Sequence, residues 1–231
     1  MFFFDPLYMM FMLPALLLML AAQWFVSSAY RRWSRVPLSS GMTGAEVAAY
    51  LARRAGLTVR IVPTGGMLSD HYDPRTRTLR LSTANFYGRS VAAAAVAAHE
   101  LGHALQHASN YKPLALRSAM VPAVNYGSYL GWIFIVLGLI LRWANLVWVG
   151  VAAFALGLLF TLVTLPVEFN ASARAKRLLR QTGIVRREEE ARGVSQVLNA
   201  AALTYVAAFV TALMQLMYYI FLARSLDNRR R

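Results

Sequence analysis

The sequence predicts a mainly α, multi-pass membrane protein with about four transmembrane helices and one small α+β domain. Three observations carry this reading. The 231 residues are 58% hydrophobic, with a mean hydropathy of +0.45. Lys+Arg number 24 against Asp+Glu 10, for a net charge of +14, a pairing of apolarity and cationic charge that suits a membrane protein with basic cytoplasmic segments. Four uncharged stretches, 7–26, 121–141, 143–167 and roughly 200–222, can each cross a hydrocarbon core of about 30 Å, which takes about 20 helical residues.

The arginines flank the apolar runs and do not form one basic face with stacking aromatics, so nucleic-acid binding is excluded as the meaning of the charge. The lipid bilayer is the partner the composition implies. The absence of cysteine removes disulfides, thiolate metal ligands and a cysteine nucleophile, so a metal must take His and carboxylate.

Region 1–30 reads as an amino-terminal anchor. Asp5 precedes its apolar run 7–26, no cation does, and Arg31, Arg32 and Arg35 follow, which places the amino terminus outside and argues against a cleaved signal. Region 31–118 reads as the α+β region. Thr43-Gly44-Ala45-Glu46 is a capping box opening a helix that closes near Gly56. Residues 58–62 alternate like a strand, Gly65-Gly66 and Asp73-Pro74-Arg75 turn the chain, and 77–82 alternate again, for a two- or three-stranded antiparallel sheet. Ser90 caps a helix running through alanines to His107. Region 119–167 is a transmembrane hairpin turning at Arg142, 168–198 a helix with a charged segment, and 199–231 a last transmembrane helix with a basic tail. Within 168–198, 186–192 reads as a solvated face with i to i+4 ion pairs.

The alanine-rich helix carries His99-Glu100-Leu101-Gly102-His103. Positions i and i+4 lie about 40° apart on a helix, so both imidazoles reach one metal while Glu100 addresses its open position. With four His and six Glu in the chain, such an HExxH arises by chance on the order of 0.002 times. The pattern points to one Zn2+ and to hydrolysis, and the α+β region is accordingly expected to be a zincin-like domain bearing the HExxH helix.

A catalytic zinc typically has three protein ligands. His107 continues the same helix face but lies about 12 Å along the axis from His99 at 1.5 Å per residue, too far to share an ion. Asp70 and His71 are candidates, and Glu168 is the strongest. It ends an apolar span, where a carboxylate is expensive without a partner, and two crossings separate it from His103, returning it to the same side of the membrane. An ion pair with Arg174 is its plainer alternative role.

The strings HELGHALQ, LSDHYDPRTRTLRLS and LPVEFNASARA resemble the bacterial membrane zinc metallopeptidase family typified by the Bacillus protein YugP, nearly end to end. The resemblance implies a multi-pass membrane protein with a zinc-peptidase site. A helix-borne HExxH with a glutamate on a later helix is also similar to gluzincin-type membrane proteases of the HtpX and CAAX prenyl-protease kind. Those place an aspartate four residues after the third ligand, where it supports a zinc-bound histidine. Here Ser172 stands at that position, leaving Asn170 or Ser172 as acceptor.

The expected chemistry is peptide hydrolysis with His99, His103 and Glu168 as metal ligands and Glu100 as general base. His71 is the candidate donor to the oxyanion, with Tyr72 and Arg80 as competitors, and the strand before the HExxH helix is where an extended peptide could add by edge pairing. Polypeptides associated with the membrane are the expected substrates. A catalytically silent zinc-binding scaffold is the alternative; retention of Glu100 favours the enzyme. Cations bordering 31–118 and following 167 place both segments, and the site, on the cytoplasmic side, whereas a fourth crossing puts Arg224, Arg229, Arg230 and Arg231 outside against the charge rule.

Overall fold

A computed structural model describes residues 5–66 and 69–228. Arg229, Arg230 and Arg231 of the basic tail lie outside the described residues. The chain is mainly helical, with a three-stranded sheet, and its elements fall into two compact units.

The first unit comprises 1–22, 116–165 and 204–231. It holds most of the apolar length of four helices able to cross a membrane: α1 (Pro6–Trp33), α5 (Lys112–Ile140), α6 (Ala144–Gln181) and α7 (Glu188–Asn228). Their apolar side chains point largely outward, Leu16, Leu17 and Leu20 of α1 being more than half exposed, as suits helices solvated by lipid. Between them a cluster including Ile135, Val147, Tyr218 and Tyr219 is buried, and small residues allow the closest approaches. On α5 and α6 the backbones meet where a Cβ on Gly150 would lie 2.6 Å from the Gly131 carbonyl oxygen, and the two helices join at Arg142, whose φ is 52°. Trp148 Nε1 donates to Asp227 at 3.1 Å and Tyr218 OH to Asp5 at 3.4 Å, so the start of α1, the α5–α6 turn and the end of α7 share one end of this unit. Arg224, near the end of α7, therefore lies at the end of this unit where α1 starts.

The second unit comprises 23–115 and 166–203. Thr43 caps α2 (Gly44–Arg54) with both bonds of the capping box present, and Ser90 caps α4 (Val91–Ala108) by accepting from Ala93 N at 3.2 Å. Strands β1 (Arg60–Thr64), β2 (His71–Asp73) and β3 (Thr78–Ser82) are followed by the short α3 (Thr83–Tyr87).

The sheet is mixed, which corrects the antiparallel expectation. The strand order is β1-β3-β2, with β1 parallel and β2 antiparallel to β3. The physical reason is burial: Leu79 and Leu81 are fully buried, so β3 takes the middle, while β1, which contains Pro63, takes an edge where the missing N–H is tolerated. β3 is consequently paired on both sides and offers no edge to an incoming peptide.

Two further expectations change. The third and fourth apolar segments lie within longer helices, α6 carrying Glu168 and α7 beginning at Glu188. The 186–192 face is not all solvated. Glu190 is buried, and its carboxylate accepts from Ser39 N, Ser39 Oγ, Arg186 N and Arg187 N at 2.7–3.2 Å. Burial raises its pKa, but these hydrogen bonds outweigh it and hold the group below the usual carboxylate range.

Candidate metal centre

Helix α4 is built of alanines that are almost completely buried, and α6 lies close against it because residue 102 is glycine: a Cβ there would stand 2.7 Å from the Ala171 carbonyl oxygen. This approach brings His99 and His103 of α4 to Glu168 of α6. One ligand atom from each lies within 4.8 Å of the other two.

The rings are aimed. His99 Nε2 is 3.2 Å and His103 Nε2 3.6 Å from the same Glu168 oxygen, Oε2. Their other nitrogens are occupied, His99 Nδ1 by Ser172 Oγ at 3.1 Å and His103 Nδ1 by Gln106 Oε1 at 3.0 Å. Burial works against charge on His103, yet Glu168 and the Glu100 charge outweigh it and hold its pKa above the ordinary histidine value. Glu100 is itself buried. Two imidazoles and a carboxylate, three donors on two helices, form the set that a catalytic zinc takes with its fourth position left open.

The other candidates for third ligand have different partners. Both oxygens of Asp70 are engaged, Oδ1 by Ser82 N and Oγ and Oδ2 by Asn85 Nδ2, at 2.8–3.1 Å. His71 is exposed on β2 with Nδ1 2.8 Å from Ser69 O. His107 Nδ1 meets Tyr72 OH at 3.0 Å, on the wall of a polar cleft of about 410 Å³ that Leu57, Arg77 and Ala104 also line. Arg80 pairs with His71 in the sheet register. Arg174 Nε donates to Asn170 Oδ1 at 2.8 Å.

A sequence profile described as "Putative neutral zinc metallopeptidase" matches residues 8–224. The chain belongs to this family. It is also 44% identical to "Putative membrane protease YugP" of Bacillus subtilis (strain 168) over 215 residues, 93% of this chain and 95% of that protein. No solved structure matches it. For a zinc metallopeptidase family member the His99, His103 and Glu168 cluster is chemically apt: the donors are nitrogen and oxygen, and the carboxylate is buried between the two rings.

Sequence reasoning missed Gln106. It is fully buried and bonds to His103 and to α6 at once. The signal was present as a glutamine three residues after His103, on the same helix face.

Proposed function

We propose that this protein is an integral-membrane zinc endopeptidase with a zincin-like, gluzincin-type site, cleaving membrane-associated polypeptides or their juxtamembrane ends. The observation that supports this most is the convergence of both Nε2 atoms on one Glu168 oxygen in a member of a zinc metallopeptidase family. His99, His103 and Glu168 hold the ion, and zinc bound there supplies a Lewis acid that acidifies water and polarises the scissile carbonyl.

Glu100 accepts the proton of the attacking water and returns it to the leaving amine. His71 donates to the oxyanion in its doubly protonated form, since Ser69 O takes the Nδ1 proton and only the second ring proton is free to serve. Substrate lies along the free side of the edge strand β2 in extended form, bound through its main chain with little sequence selectivity. The cations that border 31–118 and follow 167 support a cytoplasmic placement of the site; reporters inserted in the first of these segments and fused after Arg231 test it, and a periplasmic or extracellular reading from the first contradicts it whatever the second reads.

The testing experiment compares casein and membrane-protein cleavage by the purified protein and a Glu100→Gln variant, with zinc content measured on both. Zinc retained and cleavage reduced about 10²–10⁴-fold is the expected result. Equal cleavage by the two proteins overturns the proposal, and wild-type protein that binds zinc but cleaves nothing favours the silent scaffold.

A further inference from the structure

Gln106 is fully buried, and both ends of its side chain are engaged. Nε2 donates to Val167 O at 2.7 Å and to Asn170 Oδ1 at 3.1 Å, while Oε1 lies 3.0 Å from His103 Nδ1. The direction of this amide is set from outside. Val167 O can only accept. Asn170 presents oxygen because Arg174 Nε faces it at 2.8 Å and a guanidinium only donates. Two acceptors against one end of Gln106 require that end to be the NH2, so the end facing His103 is the carbonyl oxygen. A carbonyl cannot donate; His103 Nδ1 therefore carries the proton, and in the neutral ring the lone pair is on Nε2, which faces Glu168. Ser172 Oγ, beside His99 Nδ1, can donate or accept and imposes no such choice.

We infer that Gln106 is a positioning residue of the metal centre, holding His103 in its Nδ1–H tautomer and tying α4 to α6 at Val167, one residue before Glu168. One buried amide thus governs two ligands on two helices. Arg174 closes the arrangement, its second nitrogen reaching Ser109 Oγ at 3.4 Å while Ser109 Oγ donates to Gln106 O at 3.2 Å. The inference depends on the zinc reading above.

The test uses the full chain in detergent micelles, with zinc affinity measured by chelator competition and histidine tautomers by 15N NMR at alkaline pH, tractable because the chain has four histidines. Gln106→Met removes the acceptor at similar volume; it is expected to lose zinc affinity about 10–100-fold and to release His103 from the Nδ1–H form. Gln106→Glu keeps an acceptor for His103 but loses the NH2 that grips α6. Its thermal midpoint is expected to fall while tautomer and zinc affinity stay nearer wild type than those of the Met variant. Wild-type affinity and tautomer in Gln106→Met, or equal losses in both variants with the tautomer unchanged, overturn the positioning role alone. A wild-type protein that takes up no zinc overturns it together with the metal reading.

Discussion

Gly102 of α4 and Ala171 of α6 are in backbone contact: a Cβ on residue 102 would lie 2.7 Å from the Ala171 oxygen and 3.1 Å from its Cα. Both atoms belong to the main chain and cannot rotate away. Gly102→Ala therefore has to separate the two helices that carry the histidines and Glu168. We expect a loss of about 1–3 kcal/mol in stability from overpacking, and zinc affinity lower by about tenfold or more because the donors no longer converge. Chelator competition on the folded variant checks this, and unchanged affinity shows that the close approach is not what assembles the donors.

Ser172 Oγ meets His99 Nδ1 at 3.1 Å, on the side of the ring where a metal-bound histidine commonly donates to a carboxylate. Removing the hydroxyl in Ser172→Ala is expected to weaken zinc binding about tenfold. Ser172→Asp supplies a charged acceptor, which bonds the ring N–H more strongly than a hydroxyl does, so its affinity is expected to exceed wild type. An aspartate variant that binds no better than the alanine one shows that the serine does not orient the ring.

Glu190 gives the fold an acid-sensitive clasp before the apolar part of α7 begins. Its folded-state pKa is depressed below the ordinary 4.5, so the stability it contributes is fully present above the unfolded value and is lost as pH falls through the folded one. The thermal midpoint should drop below about pH 4.5, and less steeply in Glu190→Gln. Glu190→Ala leaves two backbone N–H groups of Arg186 and Arg187 and those of Ser39 without their acceptor, a cost of about 2–4 kcal/mol. Superimposable pH profiles for wild type and Glu190→Gln would remove the carboxylate from this role.

The proposed donor role of His71 requires the doubly protonated ring, because Nδ1 faces Ser69 O, which can only accept. His71→Ala is expected to lower kcat about 10²–10³-fold with zinc content unchanged. A variant with wild-type kcat passes the role to Tyr72 or Arg80, and Tyr72→Phe and Arg80→Ala then identify which.

The local signals were legible because they are short-range. Thr43 and Ser90 announce helix starts through bonds made within three residues, and the spacing of His99 and His103 needs only helix geometry. Glu168 was reachable from further away, through the count of crossings between it and His103. What periodicity does not carry is the partner of a buried polar group. Leu79 and Leu81 alternate as they would in any half-buried strand, and only tertiary burial puts β3 in the middle of the sheet. Glu190 looks like one of three solvated acids until Ser39 is brought to it from 151 positions away. Gln106 has the same character: its spacing from His103 gives the shared helix face, but its bonds to Val167 and Asn170 cross more than 60 residues, and its burial is not written in any local pattern.

The central claim is that two histidines of α4 and Glu168 of α6 hold one zinc. Zinc titration of the purified full-length protein beside Glu168→Ala and His107→Ala tests it most directly. The account predicts one zinc per chain in wild type and His107→Ala, with affinity reduced at least about 100-fold in Glu168→Ala. Wild-type affinity in Glu168→Ala, or a matching loss in His107→Ala, would contradict it.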